Sequence, residues 1–213
     1  LDRHVIKRLV EDVVNLRERG MEVSIVTSGA VVAGMGRLGL ETRPRAIATL
    51  QATAAVGQNL LMHTYKTLFD HHQVASGQVL LTAEDILYDR RRYLNLENTF
   101  RMLFRFGAIP VINENDSVAV AELKLTIGEN DMLAAFVSNL IGAHLLLVIK
   151  CGINEHPTPG VLVDKATYRE TYEKEVHKRG MPFFPNAAGR DMIACGIVLF
   201  LVFFCCSLLA PAS

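Results

Sequence analysis

Apolar residues recur with helical spacing over the first twenty positions of the chain. Gly20 follows them where a helix C-terminal cap is expected, and residues 21–27 are predicted to form a buried strand. A second apolar stretch with helical spacing begins after Ser28-Gly29-Ala30. The pattern predicts a helix, a buried strand and a second helix. The apolar positions of the first helix are Val5, Ile6, Leu9, Val10, Val13 and Leu16.

The middle of the chain continues this alternation. Arg43-Pro44 is predicted to open a longer helix that runs to about Leu68, because proline is favoured in a first helical turn. Residues 74–81 are predicted to form the next strand. Thr82 followed by Asp85 has the spacing of a capping box, which predicts a helix start. Residues 93–106 follow as an amphipathic helix closed by a glycine.

The same order recurs up to residue 149. Residues 108–112 are predicted to form a short strand, residues 113–116 a polar loop, residues 131–141 a helix and residues 145–149 another buried strand. Strands that alternate with helices indicate an α/β fold, with a mostly parallel sheet covered by helices on both faces. In such sheets ligands bind beyond the carboxyl ends of the strands.

Charge and cysteine usage exclude several classes of function. The chain has 22 Lys and Arg against 22 Asp and Glu, so its net charge is zero and nucleic acid is not an expected partner. Its four cysteines lack the spacing of a zinc site or a disulfide framework. A reducing compartment is therefore expected, and we place the protein in the cytoplasm.

The two ends of the sequence are unusual. The chain starts with Leu1, already inside a helical pattern, so we expect a fragment that lacks its true start. Residues 192–210 are almost continuously apolar, which is long enough to span a bilayer. No Lys or Arg follows this run, and its first half fits a buried strand equally well. Any membrane contact is expected through this tail only.

Three segments carry candidate chemistry. The turn at Ser28-Gly29-Ala30 can bind an anion through outward backbone N–H groups and the serine hydroxyl. Alternatively, the serine only caps the helix and the glycine only allows close packing. Residues 113–116, Asn-Glu-Asn-Asp, place several carbonyl and carboxylate oxygens together at a strand end. Such a segment can bind an ammonium group, or it can be an ordinary solvated turn. Asn130 and Asp131 precede an apolar helix, and either residue is an ordinary N-cap.

Several motifs occur in one order along nearly unbroken sequence from about Val5 to Ile149. They are V-T-S-G-A-V-V-A-G, A-A-V-G-Q, L-L-T, D-R-R-R-Y-L-N-x-x-N-T, I-P-V-I-N-E-N-D-S-V-A and G-E-N-D-M-L-A-A. These motifs and their order resemble those of the glutamate 5-kinases of the amino-acid kinase family. The resemblance implies a three-layer αβα sandwich, Mg-ATP as phosphoryl donor and L-glutamate as acceptor, which is converted to γ-glutamyl phosphate on the route to proline.

The resemblance also implies roles for single residues. Ser28, Asp116 and Asn130 match the positions that contact glutamate, and Asp131 matches the position that organises phosphoryl transfer. Feedback by proline at or over the glutamate site is implied too, and a homo-oligomer is expected. No residue is assigned to the nucleotide or to a metal ion.

The sequence departs from the family in its nucleotide half. The family's first strand and its K-L-G loop, which ends in Ser or Thr, have no counterpart before Leu1. Lys150-Cys151-Gly152 stands where the family has T-D, and Phe184 stands where its second phosphate-contacting lysine falls. Two hypotheses therefore stay open: a glutamate 5-kinase of weak activity, and a non-catalytic remnant that binds glutamate or proline. We expect the kinase domain to occupy residues 1–198 and a hydrophobic tail of unknown role to occupy residues 199–213.

Overall fold

The computed structural model describes residues 3–119, 129–151, 161–164 and 196–203. The helices are α1 (Arg3–Glu18), α2 (Ala30–Leu38), α3 (Ile47–Asp70), α4 (Ala83–Leu87), α5 (Arg90–Arg105) and α6 (Glu129–Leu140). The strands are β1 (Glu22–Thr27), β2 (Ser76–Leu81), β3 (Ile109–Glu114), β4 (Leu145–Cys151), β5 (Val161–Asp164) and β6 (Gly196–Phe203).

The six strands form one sheet in the order β2-β3-β1-β6-β4-β5. All neighbouring strands run parallel except β5, which pairs with β4 in the antiparallel direction. The alternation of helices and strands in the sequence predicted this arrangement, because parallel neighbours need a crossover between them. The predicted α/β class with a mostly parallel sheet is confirmed.

Side chains of neighbouring strands divide between two cores on opposite faces of the sheet. Ile25 pairs with Val111 and packs with α1 and α3, whereas the next pair, Val26 and Ile112, packs with α4, α5 and α6. The alternation follows from the two-residue repeat of a strand. Helices therefore cover both faces, which makes the fold a three-layer αβα sandwich.

Helix α1 shows how directly the apolar pattern determines one face. Its buried residues are Ile6, Leu9, Val10, Val13 and Val14, which lie on a single stripe of the helix. The chain leaves the helix through Gly20 at φ 83°, a conformation that glycine adopts without steric cost. Strand β1 then begins at Glu22.

Several element boundaries differ from those predicted by a few residues, and two of these differences lie next to the predicted loop and helix start. Helix α3 starts at Ile47 with Ala46 as its N-cap, rather than at Arg43-Pro44. Strand β3 extends to Glu114, so Asn113 and Glu114 belong to the strand and not to the predicted loop. Asn113 is tolerated there because its side chain is hydrogen-bonded, to Gln58 of α3.

Strand β6 crosses the domain boundary that the sequence places after Val198. It runs for five residues beyond that point, to Phe203, and pairs with β1 on one side and β4 on the other. A continuous apolar run is what a parallel strand needs when helices cover both faces of the sheet. Residues 204–213, the rest of the predicted tail, lie outside the described residues.

None of the helices within the described ranges is long and apolar enough to cross a membrane.

Candidate functional site

The carboxyl ends of β1, β2 and β3 meet at one edge of the sheet. Val26 of β1 pairs with Ile112 of β3, so Ser28 and Glu114 each lie two residues beyond the same rung. Leu81, the last residue of β2, pairs with Glu114. The predicted site residues Ser28 and Asp116 therefore follow neighbouring parallel strands at the edge where ligands bind in open α/β sheets.

The turn after β1 opens helix α2. Gly29 is the N-cap residue at φ 103°, and its carbonyl oxygen accepts the first helical hydrogen bond, 2.9 Å from the Ala33 nitrogen. The simpler interpretation of this turn, a capping serine, is not what is observed, since Ser28 precedes the cap. A glycine cap provides no side-chain acceptor for the N–H groups of the first turn, and such groups favour an anion.

A tight turn follows β3 and carries Asp116. The Asn115 nitrogen donates to the Leu81 carbonyl oxygen of β2 at 2.8 Å. The Asn115 carbonyl oxygen in turn accepts from the backbone nitrogens of Val118 at 3.2 Å and Ala119 at 3.1 Å. Asp116 is half-buried inside this turn. The backbone of residues 115–119, here called the Asp116 loop, is thus anchored to the end of β2 and closed on itself.

Asn130 and Asp131 lie in the first turn of α6, which begins one residue earlier at Glu129. Helix α6 ends at Leu140 and is followed by β4, which runs parallel to β6 and β1 from Leu145. The end of α6 is therefore at the amino edge of the sheet and its start is at the carboxyl edge. Asn130 is half-buried there, on the same edge as Ser28 and Asp116.

Three polar residues of α3, for which the sequence predicts no role, also reach this edge. Gln51, Gln58 and Tyr65 are spaced by seven residues, so they lie on one face of the helix. Their hydrogen-bond partners are the Ala119 carbonyl oxygen, the Asn113 side chain and the Thr27 hydroxyl, respectively. The seven-residue spacing was visible in the sequence, but their partners were not, because the nearest is 38 residues away.

Helices α2 and α3 touch backbone to backbone beside the site. A Cβ atom at Gly34 of α2 would lie 1.9 Å from the Thr53 carbonyl oxygen. One at Gly57 of α3 would lie 1.7 Å from the Ala30 carbonyl oxygen. Both positions therefore require glycine. This contact brings α3, and Gln58 with it, against the first turn of α2.

The charged side chains near the end of β2 are engaged with one another. Thr82 and Asp85 form the predicted capping box of α4, which is confirmed. Burial alone would raise the pKa of Asp85, but hydrogen bonds from the Thr82 N–H and hydroxyl and from Arg92 outweigh it and lower that pKa. Arg92 lies 2.9 Å from Asp85 and 3.6 Å from Asp89. Arg92 is thus part of a salt-bridged surface.

Within the part of the chain that the structure describes, no three His, Cys, Asp or Glu residues lie together as a metal site would require. The side chain of Asp131 lies outside the described set.

Comparison with known sequences gives this geometry its context. The sequence profile of the amino acid kinase family matches residues 1–188. The chain belongs to the amino acid kinase family. The predicted membership is confirmed, and the three-layer fold is consistent with it.

The chain is also similar to curated proteins named glutamate 5-kinase. It is 47% identical to that of Nitrosococcus oceani over 149 residues, which is 70% of this chain and 39% of the relative. It is 50% identical to the glutamate 5-kinase of Alcanivorax borkumensis over 149 residues, which is again 70% of this chain and 39% of the relative. The relative from Moorella thermoacetica is 49% identical over 144 residues, 68% of this chain and 37% of the relative. The chain thus spans about two fifths of the length of the relatives it matches.

Proposed function

We propose that this chain provides the glutamate site of a kinase that transfers the γ-phosphoryl group of Mg-ATP to the γ-carboxylate of L-glutamate. The supporting observation is that Ser28, Asp116 and Asn130 all lie at one edge of the sheet, in a chain 47% identical to a glutamate 5-kinase over 149 residues. An amino acid has an ammonium group and carboxylates, and this edge has donors and acceptors for both.

Each proposed contact follows from the chemistry of the side chain. The Ser28 hydroxyl and the first-turn N–H groups of α2 donate to a carboxylate of the substrate. Asp116 accepts from its ammonium group. The Asn130 amide has both a donor and an acceptor, so it bridges the amino acid and the start of α6. These contacts hold the γ-carboxylate at the carboxyl edge, where phosphoryl transfer takes place.

Phosphoryl transfer at this site is largely a matter of position and charge. A γ-carboxylate oxygen attacks the γ-phosphorus in line, the bond to the bridging oxygen breaks, and ADP leaves. Negative charge spreads over the transferring oxygens, so cations must neutralise it. Asp131 is proposed to organise this centre. Magnesium enters this reaction as part of the Mg-ATP substrate.

A non-catalytic module that binds glutamate or proline is the second candidate. It is favoured by Lys150-Cys151-Gly152 in place of T-D and by Phe184 in place of a phosphate-contacting lysine. Phe184 lies outside the described residues. Losing one preorganised donor to a transferring group costs on the order of 10² to 10³ in rate. Feedback by proline, a cytoplasmic location and a homo-oligomeric state stay predictions.

Two measurements test the proposal and separate the candidates. Calorimetry should detect L-glutamate binding to the 213-residue chain, and Asp116→Ala should abolish it. Asp12→Ala, which removes an exposed carboxylate of α1, should leave binding unchanged. ADP release with Mg-ATP and L-glutamate then identifies the kinase, whereas binding without turnover identifies the non-catalytic module. A chain that binds neither glutamate nor proline contradicts both candidates.

A further inference from the structure

One face of α3 presents three polar side chains to the carboxyl edge of the sheet. Gln51, Gln58 and Tyr65, here called the polar stripe, are each separated by seven residues, or about 10.5 Å along the helix. Gln51 Nε2 donates to the Ala119 carbonyl oxygen at 3.1 Å. Gln58 Oε1 accepts from Asn113 Nδ2 at 2.8 Å. The Tyr65 hydroxyl lies 3.0 Å from Thr27 Oγ1.

These three partners flank the proposed substrate contacts. Thr27 directly precedes Ser28. Asn113 and Ala119 lie three residues before and three residues after Asp116. The two glutamines therefore hold both ends of the segment that carries Asp116, and Tyr65 holds the strand end that carries Ser28. A single rigid helix thus connects the two sides of the proposed glutamate site.

Burial argues that the stripe does more than stabilise the fold. Thr27 and Tyr65 are fully buried, and Asn113 is 2% exposed. Gln58 Nε2 is buried and has no hydrogen-bond partner among the described residues. A buried unpaired donor carries a desolvation cost that an apolar side chain of similar shape would avoid. The polar side chain of Gln58 is therefore better explained by its role in positioning Asn113 than by a gain in the stability of the fold.

We propose that the polar stripe is a positioning device that sets the separation between the Ser28 turn and the Asp116 loop, and with it the affinity and the chain-length selectivity for the amino-acid substrate. This inference rests on the proposed function. At Gly57, α3 packs backbone to backbone against α2, and this contact prevents the helix from moving closer to α2. The fixed distance between the Ser28 turn and the Asp116 loop then selects amino acids by their length.

The test compares Gln51→Met, Gln58→Met and Tyr65→Phe, which remove hydrogen bonds while keeping the side chains similar in size. Asn59→Met, on an exposed position of the same helix, is the matched control. Calorimetry on the 213-residue chain measures the Kd of L-glutamate and of L-aspartate, which is one methylene shorter. Each stripe variant should weaken L-glutamate binding on the order of tenfold and reduce its preference over L-aspartate. The control should change neither quantity.

A second measurement does not depend on the ligand. In Gln51→Met, the amides of Val118 and Ala119 should exchange with deuterium faster than in the unmodified chain, while those of α1 should not change. Unchanged affinity, selectivity and loop exchange in folded variants would overturn the proposal. If Gln58→Met fails to fold, Gln51→Met gives the same test at a partly exposed position. If the unmodified chain binds no glutamate, the proposed function fails, and the exchange result alone decides whether the stripe holds the loop.

Discussion

Gly57 of α3 lies directly against the Ala30 carbonyl oxygen of α2. A Cβ atom at position 57 would be 1.7 Å from that oxygen and 2.4 Å from the Gly34 nitrogen. These neighbours are backbone atoms, so they cannot move aside as a flexible side chain would. The contact joins the first turn of α2, which follows Ser28, to the helix residue that precedes Gln58. The packing of two helices is thereby linked to the geometry of the candidate site.

Gly57→Ala should therefore destabilise the protein strongly. The added methyl group forces α2 and α3 apart, and we expect a loss of roughly 3 kcal/mol or more in the free energy of unfolding. Gly36→Ala on α2 is the matched control, because nothing lies within 4 Å of a Cβ there. That change should raise stability by roughly 0.5–1 kcal/mol, since alanine is the better helix former. Urea unfolding measures both, and equal effects would contradict the close contact.

Local sequence signals predicted much of the structure between α1 and α4. The apolar stripe of α1, the buried strand β1 and the Thr82–Asp85 capping box depend on residues a few positions apart, and all are observed. The start of α3 was predicted too early, because the proline signal at position 44 lies in the irregular segment ahead of the helix. The Gln58–Asn113 hydrogen bond spans 55 residues, and its existence depends on strand order. Sequence spacing alone carries no information about such a pair.

Glu22→Gln should stabilise the protein at neutral pH. Burial raises the pKa of Glu22, and its Oε2 has no hydrogen-bond partner within the described part of the chain. The folded state therefore binds a proton more readily than the unfolded state, so stability falls as the pH rises through the range above the ordinary carboxyl pKa. The glutamine variant removes this loss. Its advantage should be present at pH 7 and disappear as the pH falls below about 4.

Urea midpoints between pH 3.5 and pH 7.5 measure that difference. Glu18→Gln changes an exposed glutamate at the end of α1 and should show no such trend. A Glu22→Gln variant that is less stable than the unmodified chain at pH 7 would mean that the carboxylate is favourably paired.

Asp85→Ala should show the opposite pH dependence. Hydrogen bonds from Thr82 and Arg92 lower the pKa of Asp85 despite its burial, so the ionised carboxylate stabilises the folded state. Losing the reciprocal cap should cost about 1 kcal/mol at pH 7. The difference from the unmodified chain should shrink as the pH falls through the lowered pKa, below 3.8. Glu84→Ala, in the same helical turn, is the control, and an equal loss there would exclude the capping box as the cause.

The apolar C-terminal run illustrates why one signal supports several structures. An uninterrupted apolar segment has no period, so it fits a membrane span, an exposed hydrophobic tail or a buried parallel strand. The structure shows residues 196–203 as β6, between β1 and β4. Only the neighbouring strands decide among these options, since they provide a place in the sheet with hydrogen-bond partners on both sides.

Truncation after Val198 should therefore unfold the protein. The truncated chain lacks the last five residues of β6, which pair with Ile25, Val26 and Thr27 of β1 and with residues 147–151 of β4. Their loss leaves backbone N–H and C=O groups of two interior strands without partners and removes the support of the edge that carries Ser28. The matched control ends at Phe203 and removes only residues 204–213. It should keep a cooperative thermal transition by circular dichroism, whereas the chain ending at Val198 should show none. A cooperative transition in both would mean that residues 199–203 are dispensable for the sheet, as a domain boundary after Val198 predicts.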